Sequence, residues 1–235
     1  MSDAVLELKN IQKNYGALRP LRIKTLTIAA GERVAISGLD AGAAEILVNL
    51  VTGATLPDEG TVWTFGRITA DITDGDAWLA SLDAFGIVSP RAVMLDAATV
   101  QQNLAMPFTL EIDPIPAAVA ERVEKLAREC GIDPQKLSER AAEQSPVTRA
   151  RIHLARAVAL EPKLLVLEHP TADVPEPDRI PLARSIADVA EVRTLATLAI
   201  TQDPEFAAAV AHRLLALEPA TGALLSWKRK RGWFR

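Results

Sequence analysis

Between Arg33 and Gly53 the chain carries residues whose spacing could hold a phosphate. Val34 to Ser37 reads as a short buried strand, Gly38 opens a tight loop, and a helix is expected from about Ala43. A phosphate loop of this shape works through three devices. Glycines let backbone N–H groups wrap the anion, a lysine reaches the outer phosphates, and a Ser or Thr hydroxyl holds Mg²⁺. Here the frame is kept and the devices are missing. Ala44 stands at the lysine position and Glu45 at the hydroxyl position, followed by Ile46, while Ala41 and Ala43, either side of Gly42, replace two loop glycines. Losing the lysine forfeits roughly 1.5–3 kcal/mol for a hydrogen bond to a charged group, and Glu45 would repel a polyanion. Asp40 and Glu45 put carboxylates near a helix N-terminus, where the macrodipole favours negative charge. These side chains are expected to occupy the space a phosphate would fill.

The elements around the loop follow from pattern. Val5 to Ile11 alternates as a strand, Leu21 to Ile28 reads as a second, and the turn Pro57-Asp58-Glu59-Gly60 precedes a β-rich run from Thr61 to Phe65. Together they suggest an antiparallel layer beside a central parallel sheet. Asp76 to Leu82 reads as a short helix and Phe85 to Val88 as a short buried strand. From Val93 to about Ala159 the pattern is helical. Thr99 begins one helix, Pro116 to Glu129 is amphipathic and stops at Gly131, and Ser145-Pro146 opens a strong helix as N-cap and first residue. Leu164 to Leu167 is a continuous apolar run of the kind found in buried parallel strands. A helix over Pro181 to Val189, a strand over Leu195 to Ile200, a helix over Pro204 to Ala211 and a closing strand pair across Ala220-Thr221-Gly222 follow.

Composition narrows the class. The 235 residues suffice for one large α/β domain, and 49% hydrophobic content can bury a core. A net charge of −4 argues against whole-protein binding to nucleic acid. The single cysteine, Cys130, excludes an internal disulfide and suits a reducing compartment. No signal peptide and no apolar run long enough for a membrane span is visible.

Over nearly its full length, in six frames kept in order, the chain resembles the nucleotide-binding subunit of ABC transporters. Glu32 to Gly53 matches the Walker A spacing, and Leu56 to Val62 the turn and strand after it. Val100 to Pro107 resembles the segment after the Q-loop, and Arg151 to Pro162 the helix after the signature. Leu164 to Thr171 is similar to the Walker B frame and Ile200 to Phe206 to the H-loop frame. The resemblance implies an α/β, P-loop NTPase-like ABC ATPase fold, with a RecA-like core, an antiparallel β layer and a helical subdomain. One domain is expected over residues 1–235: core 1–89 and 160–227, helical insert about 90–159, basic aromatic tail 228–235.

At the positions the resemblance assigns to chemistry, the residues differ. The Q-loop Gln corresponds to Pro90, the Walker B Asp to Glu168, the catalytic Glu to His169, the D-loop Asp to Pro175 and the switch His to Gln202. Of the Leu-Ser-Gly-Gly-Gln signature only Ser145 remains, within Gln144 to Thr148. Tyr15 sits where the family places its adenine-stacking aromatic, and a packing role competes equally. No catalytic residue is intact and no metal site is expected. His169 reads as a strand-end side chain with a local hydrogen bond, the alternative being a general base. Glu168 reads as a supporting or capping carboxylate, the alternative being an Mg²⁺ ligand. Ser145 is read as a helix cap, and His153 and His212 as structural residues on helical segments.

The family sandwiches ATP between the Walker A of one subunit and the signature of another, and here both faces are altered. ATP and Mg²⁺ binding are therefore doubted. The expected role is a structural or regulatory, non-hydrolysing subunit of a membrane transport complex, cytoplasmic and peripheral on the inner face of the membrane. It would dock on a transmembrane permease near residues 88–108, with a second ABC subunit or a second copy of itself as further candidate partners. The alternatives are a weakly active ATPase using Glu168 and His169, and a soluble scaffold. The stretch Trp227 to Arg235 interleaves five cations with three aromatics, which suits an anionic membrane surface. A solvated tail competes equally, and nucleic acid is the poorer partner.

Overall fold

The computed structural model describes residues 4–226. In chain order it runs β1 (Ala4–Lys13), β2 (Leu21–Ala29), β3 (Arg33–Ser37), α1 (Ala41–Val51), β4 (Glu59–Thr64), β5 (Arg67–Ile68), α2 (Gly75–Ser81) and β6 (Phe85–Val88). Then come α3 (Val100–Ala105), α4 (Ala117–Glu129), α5 (Pro146–Val158), β7 (Leu164–Glu168), α6 (Glu176–Val192), β8 (Ala196–Ile200), α7 (Pro204–Val210), β9 (Arg213–Glu218) and β10 (Ala223–Ser226).

The strands form two sheets. An antiparallel sheet has the order β2-β1-β4-β5. A six-stranded sheet has the order β10-β9-β3-β8-β7-β6, parallel from β9 to β6 with β10 antiparallel at its edge. Strand periodicity splits the core in two. Leu164 and Val166 point to a cluster shared with α1 and the antiparallel sheet. Leu165 and Leu167 point to the opposite cluster, built with α3 to α7. Being buried on both faces is why β7 reads as an unbroken apolar run. Glu168, at its end, is the exception, a carboxylate only 2% exposed.

Several elements depart from the sequence expectation. Helix α1 starts at Ala41, two residues before the expected Ala43. Alanine is the best helix former, and Asp40 caps the early start by accepting from the Ala43 amide. Helix α6 starts at Glu176, not Pro181, which lies inside it. Pro177 takes an early position where no N–H is needed, and the bond missing at Pro181 falls on the exposed side. The stretch from Val93 to Ala159 is less helical than its pattern suggested, with irregular chain and single turns between α3, α4 and α5. His212 lies between α7 and β9 rather than in a helix. Its Nε2 meets Arg33 Nη2 at 2.7 Å, and its backbone N–H donates to the Arg33 carbonyl.

Candidate functional site

The site is assembled where β3, β7 and β8 end beside the start of α1. Gly38 leaves β3 with φ +90°, and a Cβ there would sit 2.8 Å from the Leu217 carbonyl oxygen, so the position requires glycine. Among residues 38–46 no other residue has positive φ. The alternating backbone that turns successive N–H groups onto one anion is therefore not formed. Three amides of this stretch have protein partners instead. Ala43 donates to Asp40 Oδ1 at 2.8 Å, Ala44 to the Asp40 carbonyl at 2.9 Å, and Gly38 approaches Gln202 Oε1 at 3.4 Å. Gln202 also donates from Nε2 to the Leu39 carbonyl at 2.7 Å, closing over the loop. Tyr15 lies against Gly42, within 3.5 Å of where a Cβ on it would stand. It also joins the apolar cluster, as does Ile46, and burial followed by the Asp40 charge raises the phenol pKa. Ala44, in the lysine position, is fully buried.

Asp40 thus takes the helix-terminal role expected of it, and Glu45 does not. Because α1 begins at Ala41, Glu45 falls beyond the first turn and faces Arg91. Arg91 is the residue that reading the sequence missed. Its Nη2 and Nε donate to the two oxygens of Glu168 at 2.7 and 3.2 Å, and its Nη1 donates to Glu45 at 2.9 Å. The Glu168 hydrogen bonds raise the guanidinium pKa; partial burial opposes this, and the charges of Glu168 and Glu45 add to it. Glu168 is accordingly neither a cap nor a loose supporting group but one side of a fork. Two acids facing a loop without lysine were the sequence signal that a cation must arrive from elsewhere, and Arg91 directly follows the Pro90 already singled out. Pro90 itself is exposed.

A nucleotide phosphate with Mg²⁺ needs free loop amides, a cation on the loop and unpaired oxygens for the metal. This arrangement supplies a capped loop, a buried alanine and two carboxylates already held by a guanidinium. Among the described residues no group of three His, Cys, Asp or Glu comes together as a metal site.

His169 follows β7 in the left-handed region, with φ +42°, which a non-glycine residue seldom adopts. Its backbone N–H donates to the Ile200 carbonyl at 2.9 Å. The expected side-chain hydrogen bond is not made at Nε2, which is buried without a partner. The ring borders a cavity of about 370 Å³ that is also lined by Pro90, Met94, Arg149 and His153. Burial and the charges of Arg156 and Arg149 lower the His153 pKa. A larger cavity, about 650 Å³, lies far from the loop, between Phe108, Arg122 and Arg193. At the signature position Ser145 caps α5, accepting from the Thr148 amide at 3.3 Å and meeting its hydroxyl at 3.0 Å. The stretch Trp227 to Arg235 lies outside the described residues, and among those described no helix is long and apolar enough to cross a membrane.

Two sheets joined through α1, a loop at the ends of parallel strands and a helical layer between β6 and β7 define an α/β P-loop NTPase fold of the ABC ATPase type. The chain belongs to the ABC transporter family, whose profile matches residues 21–172. It is 30% identical over 88% of its length to the Fe(3+) ions import ATP-binding protein FbpC of Mesorhizobium japonicum, of which it covers 57%. It is also 30% identical to the sulfate/thiosulfate import ATP-binding protein CysA of Pseudomonas syringae, over 90% of this chain and 64% of that one. The chain thus spans just under two thirds of those relatives or less. With the lipoprotein-releasing system ATP-binding protein LolD of Psychrobacter arcticus it shares 26% identity, over 90% of this chain and 95% of LolD. Among solved structures, a dimeric bacterial ABC transporter cassette superposes with a TM-score of 0.77 at 20% identity, covering 97% of this chain and 100% of that one. A nucleotide-free ATP-binding cassette gives 0.74 at 21% identity, covering 95% and 90%.

Proposed function

We propose that this chain is an ABC-type subunit that has lost ATP hydrolysis and serves a membrane transport complex as a structural or regulatory part. The observation that carries this reading is the Arg91 bridge, which holds one oxygen of Glu45 and both oxygens of the buried Glu168, the carboxylate nearest the Walker B position. The capped loop supports it: Asp40 and Gln202 take amides that would otherwise meet phosphate. The named relatives work in import and lipoprotein release. By analogy this chain docks on a transmembrane permease from the cytoplasmic side, alone, paired with itself or beside a second ABC subunit. The docking face would lie near residues 88–108, where Val93 and Leu95 are exposed.

The test is calorimetry of Mg-ATP with the purified chain, with a thermal-shift control. A ligand that binds the folded state adds about 2.7 kcal/mol at a hundredfold excess over its dissociation constant. No heat and no shift at millimolar ATP is expected; micromolar binding would mean the loop still cradles phosphate, and Mg-dependent hydrolysis by the same chain would overturn the reading. One observation favours a second reading, weak hydrolysis with His169 as base: its buried Nε2 has no partner. Mg-dependent turnover abolished by His169→Ala would establish that reading instead.

A further inference from the structure

We propose that Arg91 is a built-in cation that latches the entry of the helical layer to the core, doing the structural work of a bound divalent ion. The proposal deepens the non-hydrolysing reading and rests on it for the site's lack of a metal. Its geometric basis is a convergence of three segments. Glu45 comes from α1, Glu168 from the end of β7, and Arg91 from the chain leaving β6. One planar guanidinium spends Nε and Nη2 on Glu168 and Nη1 on Glu45. A forked contact of this kind fixes direction as well as distance, which a flexible ammonium does not.

The Glu168 side chain is 3% exposed, whereas those of Arg91 and Glu45 are 43% and 45% exposed. The carboxylate is therefore the buried partner, and Arg91 reaches it from the surface. A buried carboxylate needs a compensating charge. With Arg91 removed, the two acids it joins would be left side by side with no cation between them.

The mechanical consequence comes from how the rest of the segment is held. Beyond Arg91 the chain is tied to the helical layer. Arg156 donates to the Val93 carbonyl at 2.6 Å, Arg149 pairs with Asp96 at 2.8 Å, and the Asn103 side chain bonds the Leu95 backbone in both directions. Arg156 and Arg149 belong to α5, and Asn103 to α3. Arg91 thus joins the core at the point where the chain passes to α3 and α5, so the chain's own side chains anchor the helical layer there.

The experiment compares wild type with Arg91→Ala by amide hydrogen exchange over residues 89–99, by thermal midpoint, and by Mn²⁺ titration followed by electron paramagnetic resonance. Wild type should take up no Mn²⁺ at millimolar metal. Arg91→Ala should exchange several-fold faster over 89–99, melt at a lower temperature, bind one Mn²⁺ per chain and regain its midpoint with the metal. Adding Glu168→Gln to Arg91→Ala should abolish the Mn²⁺ binding. Either unchanged exchange or absent Mn²⁺ uptake in Arg91→Ala overturns the proposal. If Arg91→Ala does not fold, Arg91→Lys is measured: one ammonium cannot fork Glu168 while reaching Glu45, so faster exchange is expected and unchanged exchange overturns the proposal. Mg-ATP hydrolysis by wild type would sink the non-hydrolysing reading, whereas a failed Arg91→Ala result in a chain that does not hydrolyse Mg-ATP sinks the latch alone.

Discussion

The Arg91–Glu168 pair should respond unequally to loss of its two members, and the inequality follows from burial. Removing Arg91 leaves Glu168, 3% exposed at its side chain, as a charge in the interior. Breaking a buried pair in this way costs about 3–5 kcal/mol, and the partly exposed arginine puts this case at the low end, about 3 kcal/mol. Removing the charge of Glu168 with Glu168→Gln strands nothing, because Arg91, 43% exposed, can turn to water and to Glu45. That change keeps the volume and loses the charge-assisted fork to Arg91, at about 1.5 kcal/mol. Glu45→Ala touches a surface pair and should cost between ~0 and 1 kcal/mol. For a domain of this size each kcal/mol moves the midpoint by about 2–4 °C. Arg91→Ala should therefore melt about 6–12 °C below wild type, and Glu168→Gln about 3–6 °C below. Urea unfolding with an unchanged slope would give the same ranking. If Glu168→Gln proves as costly as Arg91→Ala, Glu168 is not the stranded partner and the reasoning from burial is wrong.

Two further predictions use other buried groups. Burial pushes the Cys130 thiol up to about 12, with the Glu129 charge adding and Arg193 opposing; the native chain should resist alkylation near neutral pH and react once unfolded, as mass spectrometry with and without denaturant would show. Burial, then Arg156 and Arg149, lower the His153 pKa from its ordinary 6.5, so the unfolded chain takes up that proton first. The stability this group confers is full above about pH 6.5 and declines as pH falls through the range below it. Denaturation midpoints across that range should fall less steeply in His153→Gln, and equal slopes would remove His153 as the cause.

What was legible in the sequence was what neighbouring residues decide. Leu164 to Leu167 announced a strand buried on both faces, and β7 is that strand. Ser145-Pro146 announced a capped helix start, and α5 begins there. The frame around Gly38 announced a strand, loop and helix, and β3 and α1 supply them. The errors came where a local rule met a competing one. Substituting alanine for glycine was read as loss of binding chemistry alone, yet alanine also extends the helix, and the extension moves Glu45 out of the first turn. The sequence reading starts a helix at Pro181, but proline is tolerated in the first turn, Pro177 fills that place, and α6 continues through Pro181. Arg91 could not be placed by spacing at all. It is 46 residues from Glu45 and 77 from Glu168, so the bridge depends on how β6 and β7 lie side by side.

The departures at the site also answer one another, which bears on how the proposed reading should be weighed. A loop stripped of its lysine and two glycines, and otherwise unchanged, would leave backbone donors and a buried carboxylate unmet, a state folded chains avoid. Here Asp40 meets Ala43, Gln202 meets Gly38 and Leu39, and Arg91 meets Glu45 and Glu168. Each partner is itself one of the unusual residues or adjoins one. Mutual satisfaction of this kind is the local consistency expected of a sequence that specifies one packed arrangement. His169 is where the consistency stops: its backbone is in the left-handed region and its Nε2 lacks a partner. Strain and an orphaned nitrogen on one residue are what functional positions tend to retain. The His169→Ala assay therefore asks the sharper question of this site, since it perturbs a group that combines a left-handed backbone with a buried nitrogen lacking a partner.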